Sequence, residues 1–308
     1  MIDSQIIETD NLTLDVLRNV LDGAIYKIPS FELSKQLRLF THGYLSNLAE
    51  SKLGKSFPTE LEKANDFLDS KELKELLDTT YESKGDIETP ARLIAKFLQD
   101  RQLADKVLID FKEHLRIVGP GGNLRQTHRV PPHRDSFYSL PKEGINFWIP
   151  CTDAPFGVSV YPQLFKTHLR VGKIDSATSH HKILEPDLSI EPATNLGCDF
   201  GYTFLFSGDH LHESTVNESN RTRISWDYRL VLTEAIRPGL RIGDFINADL
   251  MIDESYNREI ALKETRTRLR MSKKHITALF HGIENSGLNR YVQKYRKLKD
   301  YAPGVFYC

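Results

Sequence analysis

Two short segments concentrate the residue types that bind metals and grip anions. The first runs Arg125-Gln126-Thr127-His128-Arg129-Val130-Pro131-Pro132-His133-Arg134-Asp135. The second is Gly208-Asp209-His210-Leu211-His212-Glu213-Ser214, followed by Asn217 and by Arg223-Ile224-Ser225-Trp226-Asp227-Tyr228-Arg229. On a strand, residues two apart point to one side, so His133 and Asp135 converge on a point. An imidazole and a carboxylate are two of the three ligands of a 2-His-1-carboxylate facial triad, which leaves three metal positions open. Alone the pair says little, because a chain with 11 histidines in 308 residues carries about one His-x-Asp by chance. A surface strand with a His–Asp hydrogen bond is the plainer alternative.

More is present downstream. His212 lies 212 − 135 = 77 residues past Asp135, far enough to come from another strand of the same β region. His210 shares its alternation, so spacing does not choose between the two histidines. Arg223 follows His212 by 11 residues. Alternation through 223–230 puts Arg223, Ser225, Asp227 and Arg229 on one face, and Ile224, Trp226, Tyr228 and Leu230 on the other. If the apolar face packs under helices, the polar face lines a wet cavity. A guanidinium there suits bidentate capture of a carboxylate. A solvent-facing charged side of an edge strand is the alternative.

The elements that would position these residues change character twice along the chain. Residues 12–105 carry helical periodicity, as in Leu14, Val16, Leu17, Val20 and Leu21, with Pro29, Pro58 and Pro90 between segments where helix breakers belong. From about residue 106, VLIDF, HLRIV, INFWIP, VSVYP, YTFLFS and RISWDYRLVL are short β-rich runs separated by Gly, Pro, Asn and Asp, with a loop-like stretch from Lys166 to Asn195. Helical patterning returns near residue 254. The expectation is α+β: an all-β core over 106–235 between a helical part over 1–105 and a second over 236–308. Such cores close as sandwiches, barrels or jelly rolls. There is no strand–helix–strand alternation and no glycine-rich phosphate loop, which disfavours a Rossmann domain.

Composition narrows the function classes. Lys plus Arg is 41 and Asp plus Glu 42, a net charge of −1, so the broad basic footprint of a nucleic-acid binder is missing. No apolar run approaches the roughly 18 residues needed to span a bilayer. The acidic start has no apolar signal region, which points to a cytoplasmic protein. Cys151, Cys198 and Cys308 stand far apart and in no CxxC spacing, against both a disulfide framework and a zinc knuckle.

The order His-Arg-Asp, then LHES with Asn217 and Ser219, then RISWDYR, resembles the phytanoyl-CoA dioxygenase family of Fe(II)/2-oxoglutarate oxygenases. GINFWIPCTDAPFG resembles that family's strand after the first metal ligands, and the likeness covers about residues 105–232. The resemblance implies one oxygenase domain over 1–308, with a double-stranded β-helix (jelly roll, cupin-like) core flanked by helices. Iron would be held by His133, Asp135 and His212, the LHxS context and the 11-residue step to Arg223 favouring His212 over His210. Arg223 would bind the distal carboxylate of 2-oxoglutarate with Ser214 or Ser225 assisting, and Asn146 and Trp148 would flank the cosubstrate. Fe(II), 2-oxoglutarate and O2 are the implied cofactors, and succinate and CO2 the coproducts. Asp135 argues against the halogenase variant, in which a small residue replaces the carboxylate.

The substrate is expected to be a polar small molecule, such as an amino acid or a sugar-type metabolite, hydroxylated or otherwise oxidised at a C–H bond. Arg116, Arg125, His128 and Arg129 are its candidate contacts, with Gln126 and Lys166-Thr167-His168 also near the expected mouth. The basic run Arg258–Lys274 reads as a solvated helix face. The alternatives are a cupin-like isomerase, epimerase or dioxygenase without a keto acid, which has no use for Arg223, and a metal-free binding protein.

Overall fold

Local signals set the N-terminal helices. In this computed structural model, which describes residues 6–82, 88–110, 115–121, 130–138, 143–175, 180–185, 193–236, 245–253 and 255–269, Thr13 caps helix α1 (Leu14–Leu21). Its hydroxyl accepts the Val16 amide at 3.2 Å, satisfying a donor that the helix start leaves orphaned. Helices α2 (Phe31–Leu48), α3 (Ala64–Phe67), α4 (Ser70–Glu82) and α5 (Glu88–Gln99) follow. Pro29 and Pro58 lie between helices as expected. Pro90 instead sits in the first turn of α5, where a missing N–H costs no helical bond.

The strands are β1 (Ile7–Glu8), β2 (Tyr26–Pro29), β3 (Val107–Asp110), β4 (Leu115–Val118), β5 (Gly144–Pro150), β6 (Ala154–Tyr161), β7 (Arg170–Asp175), β8 (His180–Glu185), β9 (Thr194–Cys198), β10 (Tyr202–Ser207), β11 (Leu211–Ser214), β12 (Arg223–Leu232) and β13 (Phe245–Asn247). An eight-stranded sheet runs β1-β2-β10-β5-β12-β3-β13, with β4 also paired to β12. Its pairs are antiparallel except β1 with β2. A second, antiparallel sheet runs β11-β6-β9, and β7 and β8 form a separate ribbon.

Period-two alternation decides what each face of the large sheet meets. Ile224, Trp226, Tyr228 and Leu230 join Leu37 and Leu45 of α2 and Ile94 and Leu98 of α5 in one buried cluster. Trp226 Nε1 donates to Thr41 Oγ1 of α2 at 2.8 Å, so the indole is buried without an orphaned N–H. Each such large apolar side chain contributes about 1.5–3 kcal/mol on burial. From the opposite face, Trp148, Phe204 and Phe206 pack on Val158, Val160 and Leu196 of the second sheet. The two sheets are therefore layered around a small apolar core, with the polar face of β12 turned to the space between them.

Some elements escape the periodicity. Strand β2 lies inside the stretch read as helical and extends the large sheet beside β10. Strands β7 and β8 and the start of β9 fall in the stretch read as a loop, because RVGKID and HHKILE mix charged residues into short runs with little β bias. Near the C-terminus, β13 pairs with β3, and residues 258–269 are helical. The rest of the expected C-terminal helical part and Cys308 lie outside the described residues. Among the described residues, no helix is long and apolar enough to cross a membrane.

Candidate metal centre

His133 and His212 face each other as a hydrogen-bonded antiparallel pair. Each backbone N–H donates to the other's carbonyl at 2.9 Å. Both side chains therefore leave the backbone on the same side, with ring centroids 4.3 Å apart. A second bond orients each ring. His133 Nδ1 donates to Pro131 O at 2.9 Å and His212 Nδ1 to His210 O at 3.0 Å, since a carbonyl only accepts. That fixes the tautomer and turns Nε2 of both rings toward Asp135, at 3.7 and 4.0 Å from Oδ1.

Asp135 arrives by a route other than strand alternation. It opens a 3-10 turn, Asp135–Tyr138, and its amide donates to Gly208 O at 3.1 Å. The turn after His133 swings the carboxylate to the histidines, so the His-x-Asp spacing works here as a bridge residue plus a turn. Arg134, between the ligands, points elsewhere: Nη1 donates to Thr167 O at 2.7 Å and Nη2 to Leu164 O. Arg229 grips Asp135 in bidentate fashion, Nε to Oδ2 and Nη2 to Oδ1, both at 2.9 Å. Asn146 Nδ2 adds a third bond to Oδ2 at 2.8 Å. Burial alone would raise the Asp135 carboxyl, but the Arg229 charge, followed by the two imidazoles, holds it well below the usual range. Arg229 in turn is raised by Asp135 and Asp227 against its own burial.

Ligand atoms of His133, Asp135 and His212 all lie within 4.8 Å of one another, and all three residues are buried. A six-coordinate ion with bonds of about 2.1 Å spaces neighbouring ligands about 3 Å apart. About 1 Å of closure by the imidazoles would seat one. Two neutral imidazoles and one carboxylate, with tautomers fixed from behind, are a fitting donor set for a divalent first-row metal.

Beside the cluster is a cavity of about 30 Å³ whose lining includes Arg116, Trp148, Ser214, Arg223 and Asp227 along with both histidines. Arg223 is buried and donates through Nη1 to Gly157 O. Gly157 permits this approach of the sheets, because a Cβ there would meet Trp148 Cη2 at 2.6 Å and collide with Leu196 O. Ser225 is buried, its Oγ accepting Trp148 Nε1 at 3.1 Å. Asn217 ties the loop before β12 to Val118 O and Arg221 O at 2.9 and 2.8 Å.

Of the histidine pair left open by spacing, His212 joins the cluster. His210 lies in the turn before β11, its ring tilted against Phe165 with centroids 4.6 Å apart, and its Nδ1 accepts the Ser207 amide at 3.2 Å. Lys166, Thr167 and His168 line a separate cleft of about 970 Å³ with Arg134 and Phe137. Arg125, Gln126, His128 and Arg129 lie outside the described residues. The backing of Asp135 by Arg229 and Asn146 was not anticipated. Its signal is a buried amide inside the otherwise apolar strand Gly144–Pro150, facing a charged position on β12.

No family model matches the chain, and no curated protein matches it. Among solved structures, the chain is similar to the non-haem α-ketoglutarate-dependent carbocyclase SnoK from nogalamycin biosynthesis, at 18% identity over 76% of this chain and 89% of that one, TM-score 0.41. It is similar to EvdO2 from Micromonospora carbonacea var. aurantiaca complexed with 2-oxoglutarate, at 14% identity over 73% and 93%, TM-score 0.42. It is also similar to the epimerase SnoN in complex with Fe3+, α-ketoglutarate and nogalamycin RO, at 11% identity over 75% and 94%, TM-score 0.41. At TM-scores this low, the chemistry of the site rests on its own residues.

Proposed function

We propose that the protein is a non-haem Fe(II)/2-oxoglutarate-dependent oxygenase of the phytanoyl-CoA dioxygenase-like kind, built on a jelly-roll core and oxidising a C–H bond of a polar small molecule, by hydroxylation in the simplest case. The observation that carries this reading is a buried two-histidine, one-carboxylate cluster sharing a cavity with a buried arginine. A metal bound by His133, Asp135 and His212 would supply O2 activation coupled to oxidative decarboxylation of the keto acid.

The chain's own residues do the rest. The Nδ1–H bonds to Pro131 O and His210 O keep both ligating nitrogens pre-oriented. Arg223 is the cation proposed to bind the distal carboxylate, and the Ser214 hydroxyl shares its cavity lining. The cavity is close to the volume of one water. Seating a diacid therefore requires the lining side chains, Arg223 among them, to shift. Arg116, 3.9 Å from Asp227 in the same cavity, is a second cation for an anionic or polar group. Trp148, Val158 and Phe206 exclude water from the remaining wall.

The test is aerobic incubation of the Fe(II)-loaded protein with 2-oxoglutarate and detection of succinate. Metal-dependent succinate that disappears in Asp135→Ala supports the reading. Its absence at full iron loading, across amino-acid and sugar substrates, would remove it and favour a metal-dependent isomerase or epimerase on the same scaffold.

A further inference from the structure

The hydrogen bonds to Asp135 dictate how that carboxylate can bind a metal. Each carboxylate oxygen has two lone pairs. Oδ2 spends both, one on Arg229 Nε at 2.9 Å and one on Asn146 Nδ2 at 2.8 Å. Oδ1 spends one on Arg229 Nη2 at 2.9 Å and keeps the other, on the oxygen that lies 3.7 and 4.0 Å from the two imidazole Nε2 atoms. All three side chains are buried, so water does not compete for these bonds.

The sheet register makes the arrangement rigid. Arg229 and Asn146 are direct cross-strand partners on β12 and β5. Asp227 Oδ1 braces the guanidinium from behind at 2.6 Å from Nη1. Asn146 keeps this position at an energetic cost, because its Oδ1 is buried with no hydrogen-bond partner. An orphaned buried acceptor is destabilising, and an apolar residue in this apolar strand would avoid it. Functional sites are where such local penalties are retained.

We infer that Arg229 is a positioning residue that restricts Asp135 to ligation through Oδ1 alone, because its fork covers the side of the carboxylate on which a metal would take both oxygens, while Asn146 holds the outer lone pair of Oδ2. A carboxylate free to bind through both oxygens would occupy a fourth position of a six-coordinate metal. Two positions would then remain, enough for a chelating keto acid but not for O2 beside it. The two bonds to Arg229 thereby keep the third position available. This inference rests on the metal-binding part of the proposed function and not on the identity of the cosubstrate.

The experiment uses the full chain loaded with Mn(II) alone, and counts metal-bound waters from the 17O-water broadening of the Mn(II) spectrum. Wild type is expected to hold three. Arg229→Lys and Arg229→Gln break the fork that covers the chelating side of the carboxylate, and each is expected to hold two; Asn146→Leu leaves the fork in place and is expected to hold three. A merely structural role predicts a different pattern, with Mn(II) affinity falling about 10- to 100-fold and the water count unchanged. Three waters in wild type and in both Arg229 variants would overturn the inference while leaving metal binding intact, and so would two waters in wild type or in Asn146→Leu. Failure of wild type to bind Mn(II) would overturn both the inference and the proposed function. Should Arg229→Lys not fold, Arg229→Gln, which keeps a polar side chain opposite Asn146, decides the matter.

Discussion

His210 should make the apo-protein lose stability on mild acidification, and Asn in its place should remove that loss. The imidazole has no solvent exposure and packs against the Phe165 ring. Burial, followed by the neighbouring His212, pushes its pKa down to about 3, with Arg134 acting in the same direction and only the backbone of Ser207 and Gly23 opposing. In the unfolded chain it titrates near 6.5. Between these values the unfolded state binds the extra proton, so the contribution is full above about pH 6.5 and is lost as pH falls toward 3. From pH 7 to pH 5, that amounts to about 2 kcal/mol, at roughly 1.4 kcal/mol per unit once below the unfolded pKa. Asn is the informative replacement because its Oδ1 can accept the Ser207 amide as Nδ1 does now. Urea unfolding at pH 7 and pH 5 with chelator present measures both proteins, and the other histidines cancel in the difference. Equal losses in wild type and His210→Asn, within about 0.5 kcal/mol, would refute the reasoning.

Arg229→Met should destabilise the apo-protein by about 3–5 kcal/mol, because it leaves the Asp135 carboxylate buried without its guanidinium. The double variant Asp135→Asn, Arg229→Met should recover most of this, and equal midpoints for the single and double variants in chemical denaturation would contradict it. Arg223→Ala should weaken 2-oxoglutarate binding about 10- to 100-fold, the worth of a charge-assisted contact. Metal affinity should stay unchanged; calorimetric titration of each ligand separates the two. Cys151 and Cys198 are buried, and burial pushes both thiols up to about 12. Peptide mapping after alkylation at pH 8 should find both unmodified in native protein and both modified in urea. Modification under native conditions would mean the packing around Thr41 and Thr152 opens.

Features set by a local period were the ones legible in the sequence. The division of β12 into a polar and an apolar face follows from period two, and the structure puts Trp226 and Tyr228 under the helices and Arg223 in the cavity. His133, Asp135 and His212 were legible as residue types at a spacing, although Asp135 reaches the cluster through a 3-10 turn that alternation does not foresee. The choice of His212 over His210 depends on where β11 begins, and boundaries are what periodicity marks least well. The backing of Asp135 was not legible, because it depends on the register that sets Arg229 opposite Asn146 on strands roughly 80 residues apart. The weakly β-biased strands β7 and β8 were hidden for a different reason, since their pairing and not their composition makes them strands.

The most direct measurement is an anaerobic titration of the protein with Fe(II) in the presence of 2-oxoglutarate, followed by visible absorption. A keto acid chelating iron at a three-ligand site with open positions should give a weak charge-transfer band. The account predicts that band in wild type and its loss in His212→Ala, which removes a metal ligand, and in Arg223→Ala, which removes the carboxylate anchor. An iron-loaded wild type that shows no band, or a band that survives in His212→Ala, would contradict it.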